Sequence, residues 1–62
     1  MQKSKILRLP EVKARTGLSR STIYDRVKAK QFPSQINLGG HSVGWLESEI
    51  DEWLEARISA SR

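Results

Sequence analysis

The side chains with the most chemistry to offer are hydroxyl, phenol and basic groups gathered in one stretch, namely Ser19, Arg20, Ser21, Thr22, Tyr24, Arg26 and Lys28. Such groups donate hydrogen bonds and positive charge to phosphate oxygens, and they also reach the edges of bases. The nucleophile with a neighbouring base that covalent catalysis requires is not in view. The stretch therefore favours recognition of a polyanion over catalysis.

Length and composition exclude several classes of protein. The chain has 62 residues, no Cys and one His, so no second His or Cys completes a metal site around His41. So small a chain has little core with which to enclose a substrate, which disfavours an enzyme. No apolar run approaches the roughly 20 residues that cross a bilayer, and the basic start lacks the apolar segment of a signal peptide. We expect a cytoplasmic protein with no cofactor and no membrane contact.

The charge is distributed unevenly. The formal net charge is +4, but residues 1–46 hold nine basic residues against two acids, a balance of +7. Residues 47–62 hold five acids against two basic residues, a balance of −3. A basic body of this kind suits a nucleic-acid partner, and the alternative is a charged surface that serves only solubility.

Two short helices joined by a tight turn are predicted. The first precedes the basic stretch, and the second lies within it. Pro10 suits the first turn of a helix over 10–16, with Leu9 and Val12 facing inward. Gly17 ends this helix, because glycine readily takes the left-handed backbone of a C-cap.

Ser19 is a good N-cap for the second helix, predicted over 20–30. Ile23 and Val27 form its inner face, and Leu18 packs at its start. Residues expected to point away from the core are Ser21, Thr22, Asp25, Lys28 and Ala29, with Arg20 and Arg26 at the flanks.

A hairpin and a third helix complete a single domain over 1–62. Residues 35–38 and 42–45 alternate polar and apolar types around Gly39-Gly40-His41, which predicts strand, turn and strand. The residues expected to face the core from this hairpin are Ile36, Leu38, Val43 and Trp45. The third helix is predicted from Glu47, or one or two residues later if Ser48 and Asp51 form a capping box, to about Ser59. Its apolar stripe is Ile50, Trp53, Leu54 and Ile58. Residues 1–5 are expected to form a flexible basic arm and residues 60–62 a frayed tail.

This order of elements is typical of a winged helix-turn-helix, a mainly α fold with a small β-hairpin. The second helix would enter the major groove of DNA, and the hairpin would form a wing beside it. The expected DNA-binding residues are Ser19, Arg20, Ser21, Thr22, Tyr24, Arg26 and Lys28 on the helix, and Gly40, His41 and Ser42 on the wing.

Each of these residues also has a purely structural interpretation. Arg20, Arg26 and Lys28 could be solvated helix positions, and Ser19 could serve only as a cap. Tyr24 could belong partly to the core, and His41 could be a plain loop residue. Trp45 and Trp53 lie on apolar stripes, so we expect them in the core rather than stacked on bases.

The sequence resembles the AlpA family of small phage and prophage DNA-binding regulators. The stretches that carry the resemblance are Leu7-Arg8-Leu9-Pro10-Glu11-Val12, Thr16-Gly17-Leu18-Ser19-Arg20-Ser21-Thr22-Ile23-Tyr24, Phe32-Pro33, Leu38-Gly39, Val43-Gly44-Trp45, Glu47-Ser48-Glu49-Ile50 and Trp53-Leu54. The family is related to excisionases and to MerR-like DNA-binding domains, so the resemblance implies a winged helix-turn-helix without enzymatic activity. Three positions depart from the pattern: Lys13 stands where a small residue is usual, Asp25 where a basic residue is common, and His41 where the wing often has arginine.

The resemblance implies a sequence-specific regulator of transcription that binds double-stranded DNA. An excisionase-like factor that bends DNA for an integrase is an alternative within the same fold. A module that inhibits a regulator or recombinase through protein contact is an alternative of another class. RNA polymerase or an integrase are possible protein partners, and weak or DNA-induced self-association would help so small a footprint bind.

Overall fold

The computed structural model describes residues 5–61, and the arm predicted for residues 1–5 lies outside the described residues except for Lys5. The elements in chain order are β1 (Ile6–Leu7), α1 (Leu9–Thr16), α2 (Arg20–Lys28), β2 (Ile36–Gly39), β3 (Ser42–Leu46) and α3 (Glu47–Ser61). The predicted class, three helices with a small β-hairpin, is confirmed.

The turn between α1 and α2 is fixed by backbone and hydroxyl hydrogen bonds. Gly17 adopts φ +73°, and its N–H donates to the Lys13 carbonyl at 2.8 Å. Such a left-handed residue closes a helix at low cost only when it is glycine. Thr16 Oγ1 donates to the Val12 carbonyl at 2.8 Å and accepts from the Leu18 N–H at 3.3 Å. The turn therefore directs the chain from α1 into α2 within three residues, as the sequence predicts.

The carboxyl end of α2 lies two residues earlier than predicted, at Lys28. Lys30 adopts φ +61°, a left-handed backbone that no helix continues through. The Lys30 N–H donates to the Val27 carbonyl at 3.1 Å, and the Gln31 N–H donates to the Arg26 carbonyl at 2.8 Å. This pair of bonds is a Schellman motif, which satisfies the last carbonyls of the helix.

The core draws one fully or nearly fully buried side chain from most elements of the fold. These side chains are Leu7, Val12, Ile23, Phe32, Trp45 and Ile50. Packed against them and partly buried are Leu9, Leu18, Tyr24, Val27, Val43, Trp53 and Leu54. The predicted inward positions in α1, α2 and the first half of α3 are therefore confirmed. Trp45 is fully buried as expected, and Trp53 is partly buried against the core. Leu7 and Phe32 are core residues that the sequence pattern did not single out.

The predicted inward positions of Ile36 and Leu38 are wrong, because the strand register turns them away. The sheet has the order β1-β3-β2, and both pairs of strands are antiparallel. Ile36 pairs with Gly44, which precedes the buried Trp45 and therefore points to the opposite face. Between the pairs Asn37–Val43 and Gly39–Ser42 the register shifts by one residue, a bulge at Leu38. Leu38 is 41% exposed as a result.

α3 begins at Glu47, directly after β3, and the later start suggested by a capping box at Ser48 is wrong. The Glu47 N–H donates to the Lys5 carbonyl at 2.8 Å, so β1 holds the first turn of this helix. α3 continues beyond the expected end to Ser61, whose hydroxyl donates to the Arg57 carbonyl. Ile58 is helical but 45% exposed, because the carboxyl half of α3 runs past the core.

Candidate nucleic-acid interface

The amino end of α2 is formed by the cap that the sequence predicts. Ser19 has an extended backbone, and its Oγ accepts from the Thr22 N–H at 3.2 Å. The Ser19 and Thr22 hydroxyl oxygens are 3.0 Å apart and hydrogen-bonded. The hydroxyl of Ser19 is thus committed to the helix start, and Ser19, Arg20 and Ser21 are all exposed.

Arg20 lies over the ring of Tyr24, one helical turn along α2. Its guanidinium carbon is 5.2 Å from the centroid of the ring, within the range of a cation–π contact. Tyr24 in turn meets Trp45 of β3 edge to face, with centroids 6.1 Å apart and planes at 60°. The partial burial of Tyr24 confirms that it belongs in part to the core, and its ring links α2 to the wing strand.

The remaining helix positions form a mixed polar surface. Lys28 is exposed and Arg26 is half-buried, while Asp25, which precedes Arg26, is exposed. All seven helix residues predicted to bind DNA thus have at least part of their surface open to solvent. Within residues 5–61, none of the seven is fully buried by another element.

The wing carries the other three predicted residues. Gly40 and His41 form the two-residue turn between β2 and β3, and both are exposed, whereas Ser42 is half-buried. Gly39 at φ +112° and Gly40 at φ +56° take backbone conformations that favour glycine. The Gly39 N–H donates to Asn37 Oδ1 at 2.8 Å, which braces the turn. The wing tip is therefore narrow and has only one long side chain.

Arg15, a basic residue of α1, forms ion pairs that the sequence pattern did not reveal. The Arg15 guanidinium contacts the Glu47 carboxylate at 2.8 Å and the Asp51 carboxylate at 3.3 Å. These contacts join α1 to the first turns of α3, 32 and 36 residues further along the chain. A contact at such separation depends on the tertiary fold, so local spacing gives no signal for it.

An open groove lies away from the predicted site. Its volume is about 510 Å³, and it is lined by Lys30, Gln31, Phe32, Pro33, Glu49, Glu52 and Trp53. None of the ten predicted DNA-binding residues lines it. Over residues 5–61, no three His, Cys, Asp or Glu side chains are grouped as metal ligands. Within the same range, every helix is too short or too polar to cross a bilayer.

Two helices joined by a three-residue turn, a hairpin and a third helix packed behind them define a small winged helix-turn-helix domain. Comparison with known proteins agrees with this class. The family profile described as "Prophage CP4-57 regulatory protein (AlpA)" matches residues 5–58. The chain belongs to this AlpA family of prophage regulatory proteins.

Two relatives illustrate the family. The chain is 51% identical over 59 residues to the DNA-binding transcriptional activator AlpA of Escherichia coli K12, covering 86% of this chain and 84% of the relative. It is 47% identical over 58 residues to the uncharacterized protein ORF88 of Enterobacteria phage P4, covering 94% of this chain. This chain spans 66% of the length of the phage P4 protein, just under two thirds.

Proposed function

We propose that this chain is a transcriptional regulator of a prophage or related mobile element that binds double-stranded DNA with α2 in the major groove. The observation that carries the proposal is the amino end of α2, which is capped by Ser19 and exposes Arg20 and Ser21. The printed name of the Escherichia coli relative, a DNA-binding transcriptional activator, supports the same function.

Eight of the ten residues predicted for the interface have a role in DNA contact that follows from their chemistry. Arg20, Ser21 and Thr22 stand at the start of α2, where a recognition helix meets base edges. Lys28 and Arg26 further along the helix supply positive charge to phosphates. On the wing, the backbone of Gly40 and the side chains of His41 and Ser42 contact the flanking DNA backbone or minor groove.

The charge distribution supports one preferred orientation on DNA. The balance of +7 over residues 1–46 attracts a polyanion, and the balance of −3 over residues 47–62 repels one. The acids Glu47 and Asp51 are engaged by Arg15 on α1, which keeps part of this negative charge behind the recognition helix. The molecule therefore approaches DNA with α2 and its basic neighbours ahead of α3.

Protein partners follow from the way such regulators act. A domain of 62 residues has a small footprint, so paired sites or DNA-induced self-association would raise its affinity. Contact with RNA polymerase would alter promoter use, and contact with an integrase would alter excision. We place this activity in the bacterial cytoplasm. The proposed activity needs no cofactor and no reaction catalysed by the protein.

Fluorescence anisotropy tests the proposal. The probe is a labelled 30-base-pair duplex, selected on the wild-type protein from a random pool, and the unselected pool serves as the non-specific reference. We expect Arg20→Ala and Lys28→Ala each to weaken binding about 5- to 100-fold and about 2- to 10-fold respectively, from base and phosphate contacts. With about five phosphates neutralised, log K should fall against log salt with a slope of roughly −4 to −5.

Arg57→Ala is the matched control. Arg57 is an exposed arginine of α3 whose guanidinium lies 5.3 Å from the centroid of the Trp53 ring, much as Arg20 lies over Tyr24. Its removal changes the net charge equally, so we expect less than about a twofold effect on affinity. A salt slope near zero, or equal losses in Arg20→Ala and Arg57→Ala, would contradict the proposal. Intact DNA binding by Arg20→Ala and Lys28→Ala, with loss of a protein partner instead, would favour a protein-interaction module.

A further inference from the structure

A stack of side chains runs from the core to the start of α2. The indole Nε1–H of Trp45 donates to the Pro33 carbonyl at 2.9 Å, and Trp45 is fully buried. This hydrogen bond and the surrounding packing fix the position of the ring. The Tyr24 ring meets Trp45 edge to face at 6.1 Å, and the Arg20 guanidinium lies over Tyr24 at 5.2 Å. Each ring is held by the one beneath it.

Stacking leaves the arginine able to bind a second partner. A guanidinium carries five N–H donors, and a cation–π contact with one ring does not occupy all of them. Both ion pairs described within residues 5–61 belong to Arg15, and Arg20 takes part in neither. Arg20 therefore combines a restrained position with donors that remain available to an incoming acceptor.

We propose that Tyr24 is a positioning residue, which holds the Arg20 guanidinium in its DNA-binding orientation before DNA arrives. This inference rests on the proposed function, because it assigns how one contact of that interface is prepared. A free arginine loses side-chain entropy when it binds, and a side chain ordered in advance loses less. The Tyr24 ring supplies this order, and its hydroxyl is not required for it.

In this proposal the ring of Tyr24 positions Arg20 and the hydroxyl does not. Two substitutions separate the effects of these two groups on DNA affinity. Tyr24→Phe keeps the ring and removes the hydroxyl, and we expect it to lose less affinity for the selected duplex than Tyr24→Leu does. Tyr24→Leu removes the ring, and we expect a loss of about two- to fivefold, the strength of an exposed cation–π contact expressed as affinity.

A double-mutant cycle then tests whether Tyr24 acts through Arg20. Because Tyr24 has nothing to position once Arg20 is gone, Tyr24→Leu should cost less than about 1.5-fold in the Arg20→Ala background. The matched cycle is Arg57→Ala with Trp53→Leu, a second arginine–aromatic pair at four-residue spacing on α3. We expect that cycle to leave DNA affinity unchanged in every combination, measured where circular dichroism shows each variant folded.

A measurement without DNA keeps the inference testable even if Tyr24→Leu does not fold. In the wild-type protein and in Tyr24→Phe, the Arg20 Hδ resonances should show an upfield ring-current shift, and Arg20 Nε should show restricted motion by ¹⁵N relaxation. Tyr24→Leu should lose both signatures. If the wild-type resonances stand at random-coil positions, the arginine is not held and the inference is overturned, whatever the stability of the leucine variant.

The binding results can overturn the inference in two further ways. Equal losses in Tyr24→Phe and Tyr24→Leu would mean that the phenol itself contacts phosphate. Additive losses in Arg20→Ala and Tyr24→Leu would mean that the two residues act independently. Failure of the wild-type protein to bind any duplex would instead contradict the proposed function, and it would leave the ring-current result as the separate test of the stack.

Discussion

Ser19 links helix stability to the exposed surface on which the proposed function rests. Its hydroxyl satisfies the Thr22 N–H, one of the free donors at the start of α2. Arg20 and Ser21, the next two residues, take their outward directions from that first turn. A substitution at Ser19 can therefore change the stability of the fold, the charge of the exposed surface or both, depending on the residue that replaces it.

Ser19→Ala and Ser19→Asp should separate stability from affinity. Ser19→Ala loses the cap, and we expect the free energy of unfolding to fall by about 1 kcal/mol. Ser19→Asp keeps a capping oxygen, so stability should stay within about 0.5 kcal/mol of wild type, while its negative charge repels phosphate and lowers DNA affinity. Urea unfolding and anisotropy measure the two quantities. Wild-type affinity in Ser19→Asp would mean that this end of α2 does not face DNA.

Lys30 holds a backbone conformation that its side chain disfavours. At φ +61° a residue with a Cβ is strained, whereas glycine is not. We expect Lys30→Gly to raise the free energy of unfolding by about 0.5–1 kcal/mol, because relief of this strain outweighs the added freedom of the unfolded chain.

Lys30→Ala controls for the loss of charge and of the long side chain, because it keeps the Cβ and hence the strain. Chemical denaturation of the two variants gives the comparison. If Lys30→Ala is as stable as Lys30→Gly, the left-handed backbone is not the source of the gain.

Helix positions were predictable here because each helix is marked by local signals. Pro10 and Gly17 bracket α1, Ser19 starts α2, and the apolar spacing of Ile50 and Leu54 marks α3. No residue type marks the end of α2 at Lys28. The residue that takes the left-handed conformation after the helix is Lys30, whereas glycine is the usual residue at such a position. Boundaries set by backbone geometry rather than residue type leave little trace in a sequence.

The sheet was less predictable because its register depends on contacts between distant strands. β1 pairs with β3 through Ile6–Leu46 and Leu7–Trp45, some forty residues apart along the chain. On the opposite face of β3, a Cβ at Gly44 would meet Ile6, and the Leu38 side chain lies close by. The alternation of types in β2 favoured Ile36 and Leu38 as core residues, but this crowded face and the bulge decide their direction. Period-two patterns alone do not say which face is buried.

Gly44→Ala tests this account of the sheet. The added methyl group would clash with Ile6 Cγ2 and approach the Leu7 carbonyl oxygen to 3.0 Å. We expect a loss of about 1–3 kcal/mol in the free energy of unfolding. Because the closest atom belongs to a side chain, Ile6→Ala should cost less in the Gly44→Ala background than alone, by at least about 0.5 kcal/mol. Thermal and urea unfolding of the four proteins give this coupling, and additive losses would contradict the clash.

The molecule as a whole depends on very few buried side chains. Six residues form the fully or nearly fully buried core of the described chain, and Arg15 adds ion pairs that are exposed enough to contribute little. At typical values per residue, a domain of 62 residues has a stability of about 3–9 kcal/mol. Truncation of one core side chain can therefore remove roughly half of this stability.

Ile23→Ala should remove roughly half of the free energy of unfolding. Ile23 is fully buried, and its truncation costs about 2–5 kcal/mol through lost burial and the cavity that remains. Ile58→Ala makes the same chemical change at a residue that is 45% exposed, and we expect an effect within about 0.5 kcal/mol. Circular dichroism melts compare the two variants. Equal losses would show that Ile58 is covered by a partner or a second copy in solution.

The direct junction between Leu46 and Glu47 also limits how the length of the chain can vary. β3 passes into α3 without an intervening linker, and the Glu47 N–H is already bonded to Lys5. One inserted residue at this point would rotate the following helix by about 100° and carry Ile50 out of the interior. The hairpin tip at Gly40 and His41 does not pass directly into a helix, so a change of length there would leave the phase of α3 unaltered, whereas the spacing from Trp45 to Ile50 should stay fixed during evolution.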